Sequence, residues 1–394
     1  MDILSELSGV ILALISNLSV FWIIYFVFIS FILLILIFTA ATNLFVGPFL
    51  RKKIEIRTFP MVSILVPARN EEKNIRRSIE SIVNQDYPNY EIIILDDNST
   101  DNTYKICLEY KNSDNFRLLK GGDLLPGWLG KNNACRQLAE NATGEILIFT
   151  DADNFHEKFA VSNTVAYMQK YNLGMLSAFP QQFTNSFWEK LIIPVIDLII
   201  YSGLILWTTF LLPFKVFAAA NGQWIAFTRL AYDKIGGHNA VKHHIVEDVA
   251  LSRAAKDAGI KTLTTAGTGA VYGKMYSNFG EIWQGLSKNI YGLTDFKAIP
   301  FFILLSLIFI CGILPYFLLF DNELRPFATI AVALNILWRI FLSIGFKHSV
   351  VISTILHPLS LLMLISIGVN SFIASTFGTL KWKGRDIKIH FEEK

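Results

Sequence analysis

The chain has 394 residues, 53% of them hydrophobic and only 17% charged, with 32 phenylalanines. That balance excludes disorder, collagen and an ordinary cytosolic enzyme. Lys and Arg number 35 against 32 Asp and Glu, a net charge of +3, and with no long basic run nothing points to nucleic acid; the partner implied is a membrane. Three scattered cysteines, Cys107, Cys135 and Cys311, suit neither a disulfide framework nor a zinc site and read as free thiols in a reducing compartment.

Between Glu6 and Arg51 there is no charged side chain, and Leu18 to Val46 alone exceeds the ~20 residues that cross a ~30 Å hydrocarbon layer. Asp2 and Glu6 replace the basic start of a cleavable signal, so residues 1–50 are expected to stay as an anchor. Arg51, Lys52, Lys53 and Arg57 follow. Their charge assigns that flank, and the domain over residues 51–297, to the cytoplasm of a multi-pass cell-membrane protein.

Within that domain a short apolar run, Met61 to Val66, ends in Pro67, and Ile75, Ile79, Ile82 and Val83 then recur at helical spacing. Glu91 to Leu95 is a second run, closed by Asp96-Asp97-Asn98-Ser99, and a helix is expected from near Thr100 or Asp101. Phe116 to Leu119 reads as a strand, Lys131 to Ala142 as a helix, and Glu145 to Thr150 as a strand ending at Asp151-Ala152-Asp153. This alternation predicts an α/β fold with a doubly wound, mainly parallel sheet. Ligands of such sheets bind at the carboxyl ends of the strands, where the polar clusters fall. Neither G-x-G-x-x-G nor G-x-x-x-x-G-K-[ST] is present, so no glycine loop cradles phosphates.

Leu191 to Phe214 is long enough to span but carries Asp197, Pro194 and Pro213. A crossing there would separate motifs that must share one site, so residues 187–217 are read as an interfacial or re-entrant element. Phe279, Ile282, Trp283, Leu286 and Ile290 share one helical face, which suits an interfacial helix over residues 279–291. Two or three further spans are expected over residues 298–380, before a basic tail, 381–394. Three single crossings would put that tail outside, against the charge bias; a hairpin over Ser349 to Leu380 is the alternative.

Asp151 and Asp153 are spaced to chelate a hard divalent ion, magnesium or manganese, that clamps a diphosphate. A solvated turn has the same composition. Asp96 and Asp97 also read as helix caps, and Glu247-Asp248 as acids that favour a helix N-terminus. Lys131 reads either as a phosphate contact or as a surface lysine at a helix start.

Taken in order, five motifs resemble the family-2 glycosyltransferases of the GT-A fold, over roughly Phe59 to Asn289. They are Val66-Pro67-Ala68-Arg69-Asn70-Glu71-Glu72, Asp96-Asp97-Asn98-Ser99-Thr100-Asp101, Trp128-Leu129-Gly130-Lys131-Asn132-Asn133-Ala134, Asp151-Ala152-Asp153 and Glu247-Asp248. The resemblance implies that Pro67, Arg69, Glu71 and Asp97 line a nucleotide pocket and that Asp151 and Asp153 reach the diphosphate through a divalent cation, Mn or Mg. It also implies that Asp248 is the general base of an inverting transfer.

Processive members of that family carry Q-x-x-R-W, whereas this chain reads Gln284-Gly285-Leu286-Ser287-Lys288. The sequence looks more like the non-processive membrane members that glycosylate ceramide, hopanoid or carotenoid acids. The resemblance therefore implies transfer of one hexose, glucose from UDP-glucose, to a lipid acceptor, with Glu247, Gln284 and Lys288 on the acceptor or diphosphate side. The rival readings are a polyprenyl-phosphate sugar synthase, a polysaccharide synthase and a non-catalytic nucleotide-sugar-binding scaffold. His156, His238, His243 and His244 have no spacing that singles one out as a metal ligand.

Overall fold

The computed structural model describes residues 19–276, 278–294, 296–378, 380–382 and 385–387. Ahead of residue 380 the strands are β1 (Val62–Ala68), β2 (Tyr90–Asp96), β3 (Phe116–Lys120), β4 (Ile146–Thr150), β5 (Phe155–His156), β6 (Met175–Phe179), β7 (Gln181–Gln182), β8 (Trp224–Thr228), β9 (Thr262–Ala266) and β10 (Val271–Gly273). Seven of them form the main sheet in the order β3-β2-β1-β4-β8-β6-β9. Only β8 runs antiparallel to its neighbours, β4 and β6, so the sheet is mainly parallel, as the alternation predicts. A small sheet, β5-β10-β7, lies beside it.

Both faces of the central strands are covered. Ile64, Val66, Ile92, Ile94 and Ile148 enter one core cluster, and the residues between them, Leu65, Ile93, Leu95, Leu147 and Phe149, enter the other. This is why the strands read as continuous apolar runs rather than as alternating ones. The chain runs outward from β1 through β2 to β3, then returns to start β4 on the other flank of β1. The strand order reverses there, and the crevice at a reversal is where open α/β sheets take ligands.

The helices, in chain order, begin with α1 (Val20–Val46), α2 (Ile75–Val83), α3 (Thr103–Leu108), α4 (Gly130–Asn141) and α5 (Ala160–Tyr171). The stretch from 187 to 217 is broken into α6 (Phe187–Ile192), α7 (Pro194–Gly203) and α8 (Thr208–Leu211), with a last 3-10 turn. Then come α9 (Arg229–Lys234), α10 (Glu247–Asp257) and α11 (Phe279–Asn289). The C-terminal region holds α12 (Ala298–Gly312), α13 (Leu314–Leu318), α14 (Arg325–Phe346), α15 (Val350–Ile355) and α16 (His357–Phe377). Among the described residues, four helices are long and apolar enough to cross a membrane: Val20–Val46, Ala298–Leu318, Arg325–Phe346 and His357–Phe377.

Side-chain contacts give these helices their direction. Phe26 stacks on Phe327 and Phe45 meets Phe341 edge-on, so α1 and α14 run side by side in one direction. The Tyr25 hydroxyl donates to the Ile310 carbonyl, which brings the far end of α12 to the start of α1. The last segment turns back. Arg339, fully buried in α14, donates from Nε to the Ser353 carbonyl of α15 at 3.0 Å and from Nη1 to the Pro194 carbonyl of α7 at 3.2 Å. His357 then meets Asn335, halfway along α14, at 3.3 Å.

From there α16 climbs back along α12, with Gly368 against Leu305 and Phe301. Its upper end reaches the segment that follows the α/β domain: Ser371 accepts from the Tyr291 amide, and Asn370 donates to Ser287 of α11. The six residues of α15 rise only about 9 Å, well short of a ~30 Å hydrocarbon core. Residues 349 to 377 therefore form a hairpin that enters and leaves at the end of the bundle that carries the α/β domain.

The broken stretch α6 to α8 packs into that same end. Asn43 of α1 donates to the Tyr201 and Leu204 carbonyls and accepts from the Leu206 amide. Asp197 pairs with His348 at 2.8 Å, and the Trp338 indole donates to Ser202. On α11, Ile282 and Leu286 are buried in a cluster with Leu191, Phe301 and Leu361. Gly285 allows this approach, because a Cβ there would meet the Tyr276 ring.

Candidate active site

The loops after β1 and β2 are zipped together at the reversal of the sheet. Asn70 and Asn98 both take left-handed backbone, φ 53° and 55°, which asparagine tolerates better than most residues. The Asn70 amide donates to Ser99 Oγ and its Oδ1 accepts from the Thr100 amide, while the Glu71 amide donates to Thr103 Oγ1. Arg69 Nη1 donates to the Asp97 carbonyl at 2.6 Å and lies 3.9 Å from its carboxylate. Pro67 is the penultimate residue of β1, two positions before Arg69. Pro67, Arg69, Glu71 and Asp97, the four residues expected in a nucleotide pocket, thus sit at the carboxyl ends of β1 and β2, on or beside two cross-linked loops.

Across the reversal, β4 delivers Asp151 and Asp153. Lys131, in the first turn of α4, brings Nζ to 2.9 Å from Asp151 Oδ1 and 3.0 Å from Glu247 Oε1. Against a burial that works the other way, the two carboxylates hold the Lys131 ammonium well above its ordinary range. Burial likewise opposes ionisation of Glu247, and Lys131 prevails by holding that carboxyl below its ordinary value.

Asp248 follows the opposite course. Burial first, and then the charge on Glu247, push it up to about 7. Its Oδ2 accepts from the Gly222 amide at 2.7 Å and its Oδ1 from the Val249 amide at 2.8 Å. Two adjacent acids in one site therefore differ in protonation near neutral pH, an arrangement suited to a base that works at pH 7. Lys288, on α11, faces the same group; burial lowers it, while Glu247, Asp151 and Asp248 act in the opposite sense. Gln284, one turn earlier, is exposed.

Two residues the motifs do not mark belong to this floor. Gly222 supplies the amide to Asp248, and a Cβ on it would stand 3.1 Å from Lys131 Nζ and 3.2 Å from Glu247 Oε1. Gln223 donates to Asn154 Oδ1, and its carbonyl accepts from Asn154 and Thr150, tying the turn after β4 to the start of β8. The only signal for either was their position just before a strand.

Two histidines are structural. His156 is buried between Ser81 and Thr150, and burial pushes it down to about 3. His238 is held by the Tyr232 hydroxyl, and burial pushes it down to about 4.

Among the described residues no group of three or more His, Cys, Asp or Glu gathers to hold a metal. The donor chemistry fits a cation that protein and substrate share: hard carboxylate oxygens on Asp151 and Asp153, with further positions left to phosphate and water, as magnesium prefers. Asp153 borders a cavity open to such ligands.

The description "Glycosyl transferase family 2" matches residues 63–218. A 4,4'-diaponeurosporenoate glycosyltransferase from Staphylococcus aureus (strain USA300) is 26% identical over 347 residues, 84% of this chain and 89% of that protein. A mannosyltransferase from Pyrobaculum calidifontis, solved with GDP-Man and Mn2+, superposes with a TM-score of 0.53 at 17% identity, over 90% of this chain and 98% of that one. That likeness bears on the fold. Strand order, the crevice at its reversal and the matched segment agree: this chain carries a glycosyltransferase family 2 domain, built on the GT-A fold and packed against helices long and apolar enough to cross a membrane.

Proposed function

We propose that the protein is an inverting, metal-dependent glycosyltransferase that moves one hexose, glucose from UDP-glucose, onto a lipid drawn from the membrane. Its catalytic domain works at the cytoplasmic face. The observation that carries this reading is Asp248, buried beside Glu247 and raised to about 7, next to the lysine that bridges Glu247 and Asp151.

In this reading the nucleoside rests between the zipped loops, against Pro67, Arg69, Glu71 and Asp97, and the diphosphate points toward Asp151 and Asp153. A divalent cation bound by those carboxylates supplies Lewis-acid neutralisation of the charge that grows on the departing diphosphate. Lys131 adds a fixed positive charge on the same side. With a hydroxyl acceptor, Asp248 accepts the proton of the acceptor oxygen as that oxygen bonds to the anomeric carbon. The bond to the diphosphate breaks on the opposite face, so the configuration inverts. Glu247, Gln284 and Lys288 lie toward the acceptor, which α11 and the hairpin of α15 and α16 admit from the bilayer.

The Staphylococcus aureus relative is named for a carotenoid acid, which supports an acidic lipid as acceptor. A carboxylate arrives already ionised and needs no proton removed, so the base is dispensable for it and required for a hydroxyl. The test is mass spectrometry of membrane lipids after incubation with the full-length protein, a panel of nucleotide sugars and manganese. A lipid heavier by one hexose with UDP-glucose, absent with Asp153→Asn, is expected. Product that survives Asp248→Asn identifies an acid acceptor, and product lost with it identifies a hydroxyl. Equal product from Asp153→Asn, or transfer to water-soluble acceptors alone, would overturn the reading.

A further inference from the structure

Beyond the carboxylate cluster, a cavity of about 200 Å³ opens beside Asp153. Lys73 from the loop before α2, Arg77 from its first turn and Lys274 from the segment after β10 line it, with Asn185 and Phe183. Arg77 is pinned. Its guanidinium carbon lies 3.3 Å from the centroid of the Phe155 ring and 5.5 Å from that of Phe183, and Phe155 stacks on Tyr272 at 4.8 Å and 14°. Stacking fixes the plane of the guanidinium and leaves its N–H edge, the part that pairs with planar oxyanions, free to face the cavity. A side chain held in this way loses little further freedom when an anion arrives.

Among the described residues no carboxylate forms an ion pair with Lys73, Arg77 or Lys274. Like charges gathered in one concavity repel one another and raise the local concentration of anions. Liquid water occupies about 30 Å³ per molecule, so the cavity has room for a diphosphate or a carboxylate together with some water.

We propose that this cavity binds the anionic oxygen group of a substrate, a phosphate or a carboxylate, with Arg77 and Lys274 as the direct contacts and Lys73 at the rim. The inference rests on the glycosyl-transfer reading and deepens it. Two sources supply that chemistry: the diphosphate of the donor, which Asp153 adjoins, and the acid group of a lipid acceptor.

The test uses the full-length protein in detergent without divalent metal, titrated with inorganic pyrophosphate in a calorimeter. Wild type is expected to bind it, and Lys274→Gln and the double variant Lys73→Gln/Arg77→Gln to bind at least tenfold more weakly. Lys274→Gln leaves the Phe155 and Arg77 stack untouched, so a loss there is not unfolding. UDP and uridine then separate the sources. UDP weakened at least tenfold with uridine unchanged assigns the cavity to the donor. UDP unchanged, with KM for the lipid raised and kcat kept, assigns it to the acceptor.

Pyrophosphate binding that is absent in wild type, or equal in all three proteins, overturns the proposal. So does a pyrophosphate loss that moves neither UDP affinity nor the lipid KM. Failure of the glycosyl-transfer reading would look different: no hexose transfer by wild type, with pyrophosphate binding still dependent on Lys274.

Discussion

Lys131 Nζ lies 3.0 Å from Glu247 Oε1, so a single ammonium joins the start of α4 to the start of α10. The same charge keeps Asp248 from rising further. Lys131→Met is therefore expected to lower kcat by about 10²-fold, the scale seen when one charge-stabilising group is removed, and to move the midpoint of the pH–rate profile upward. Lys131→Arg, which keeps the charge, should retain most of the rate. Pre-steady-state turnover across pH 5 to 9 reads both effects.

With a hydroxyl acceptor, Asp248 works only when ionised. Its carboxyl is raised to about 7, so the rate should be low in acid, rise through about pH 7 and level off above it. In Asp248→Asn that limb disappears and the rate falls by roughly 10²- to 10⁴-fold, the usual worth of a positioned base. A profile in wild type that is flat from pH 5 to 8 would remove Asp248 from this role.

Gly222 is a sharper probe than any carboxylate, because it carries no charge. A methyl there would press on Lys131 Nζ at 3.1 Å and Glu247 Oε1 at 3.2 Å, and the lysine, being flexible, can yield. Gly222→Ala should keep the thermal midpoint within about 2 °C and cut kcat by about tenfold, since small displacements within a reacting site are costly. Calorimetry and turnover on one preparation distinguish this from general destabilisation.

The hairpin makes a topological prediction. The three native cysteines are all buried, so single introduced cysteines will report without background. Cysteines replacing Ser349 and Lys381 should react with an impermeant maleimide from the same side as one replacing Lys111 in the catalytic domain. A cysteine at Glu323, between α13 and α14, should react from the other side. Lys381 labelled together with Glu323 would mean that α16 crosses.

The sheet was legible because each central strand is buried on both faces, which writes an uninterrupted apolar run closed by a polar turn. The polar loops at the reversal of the sheet were legible for a related reason: their residues sit at strand ends, where the fold leaves little room for other polar clusters. Long-range pairing was not legible. Nothing in the sequence distinguishes Lys131 as a surface lysine from Lys131 as a bridge, because its two partners lie 20 and 116 positions away. The amide of Gly222 was hidden likewise, since a backbone donor has no letter. The sequence leaves the return of α16 open beside a crossing, because hydropathy records length and not direction; the hydrogen bonds of Asn370 and Ser371 decide it.

The cluster that joins Leu191, Ile192, Ile282 and Leu286 to Phe301, Leu305, Leu361 and Leu364 also fixes how the protein can be handled. Nine of the fifteen buried residues of that cluster precede Lys297 and six come from the helices that follow it. Trimming the chain at Lys297 to obtain a soluble fragment would strip those six and leave the other nine as a wet greasy scar, prone to aggregate. Crystallisation or screening therefore calls for the intact chain in a lipid-like solvent, and inhibitors found on a trimmed fragment would have met an altered packing of α6 and α11.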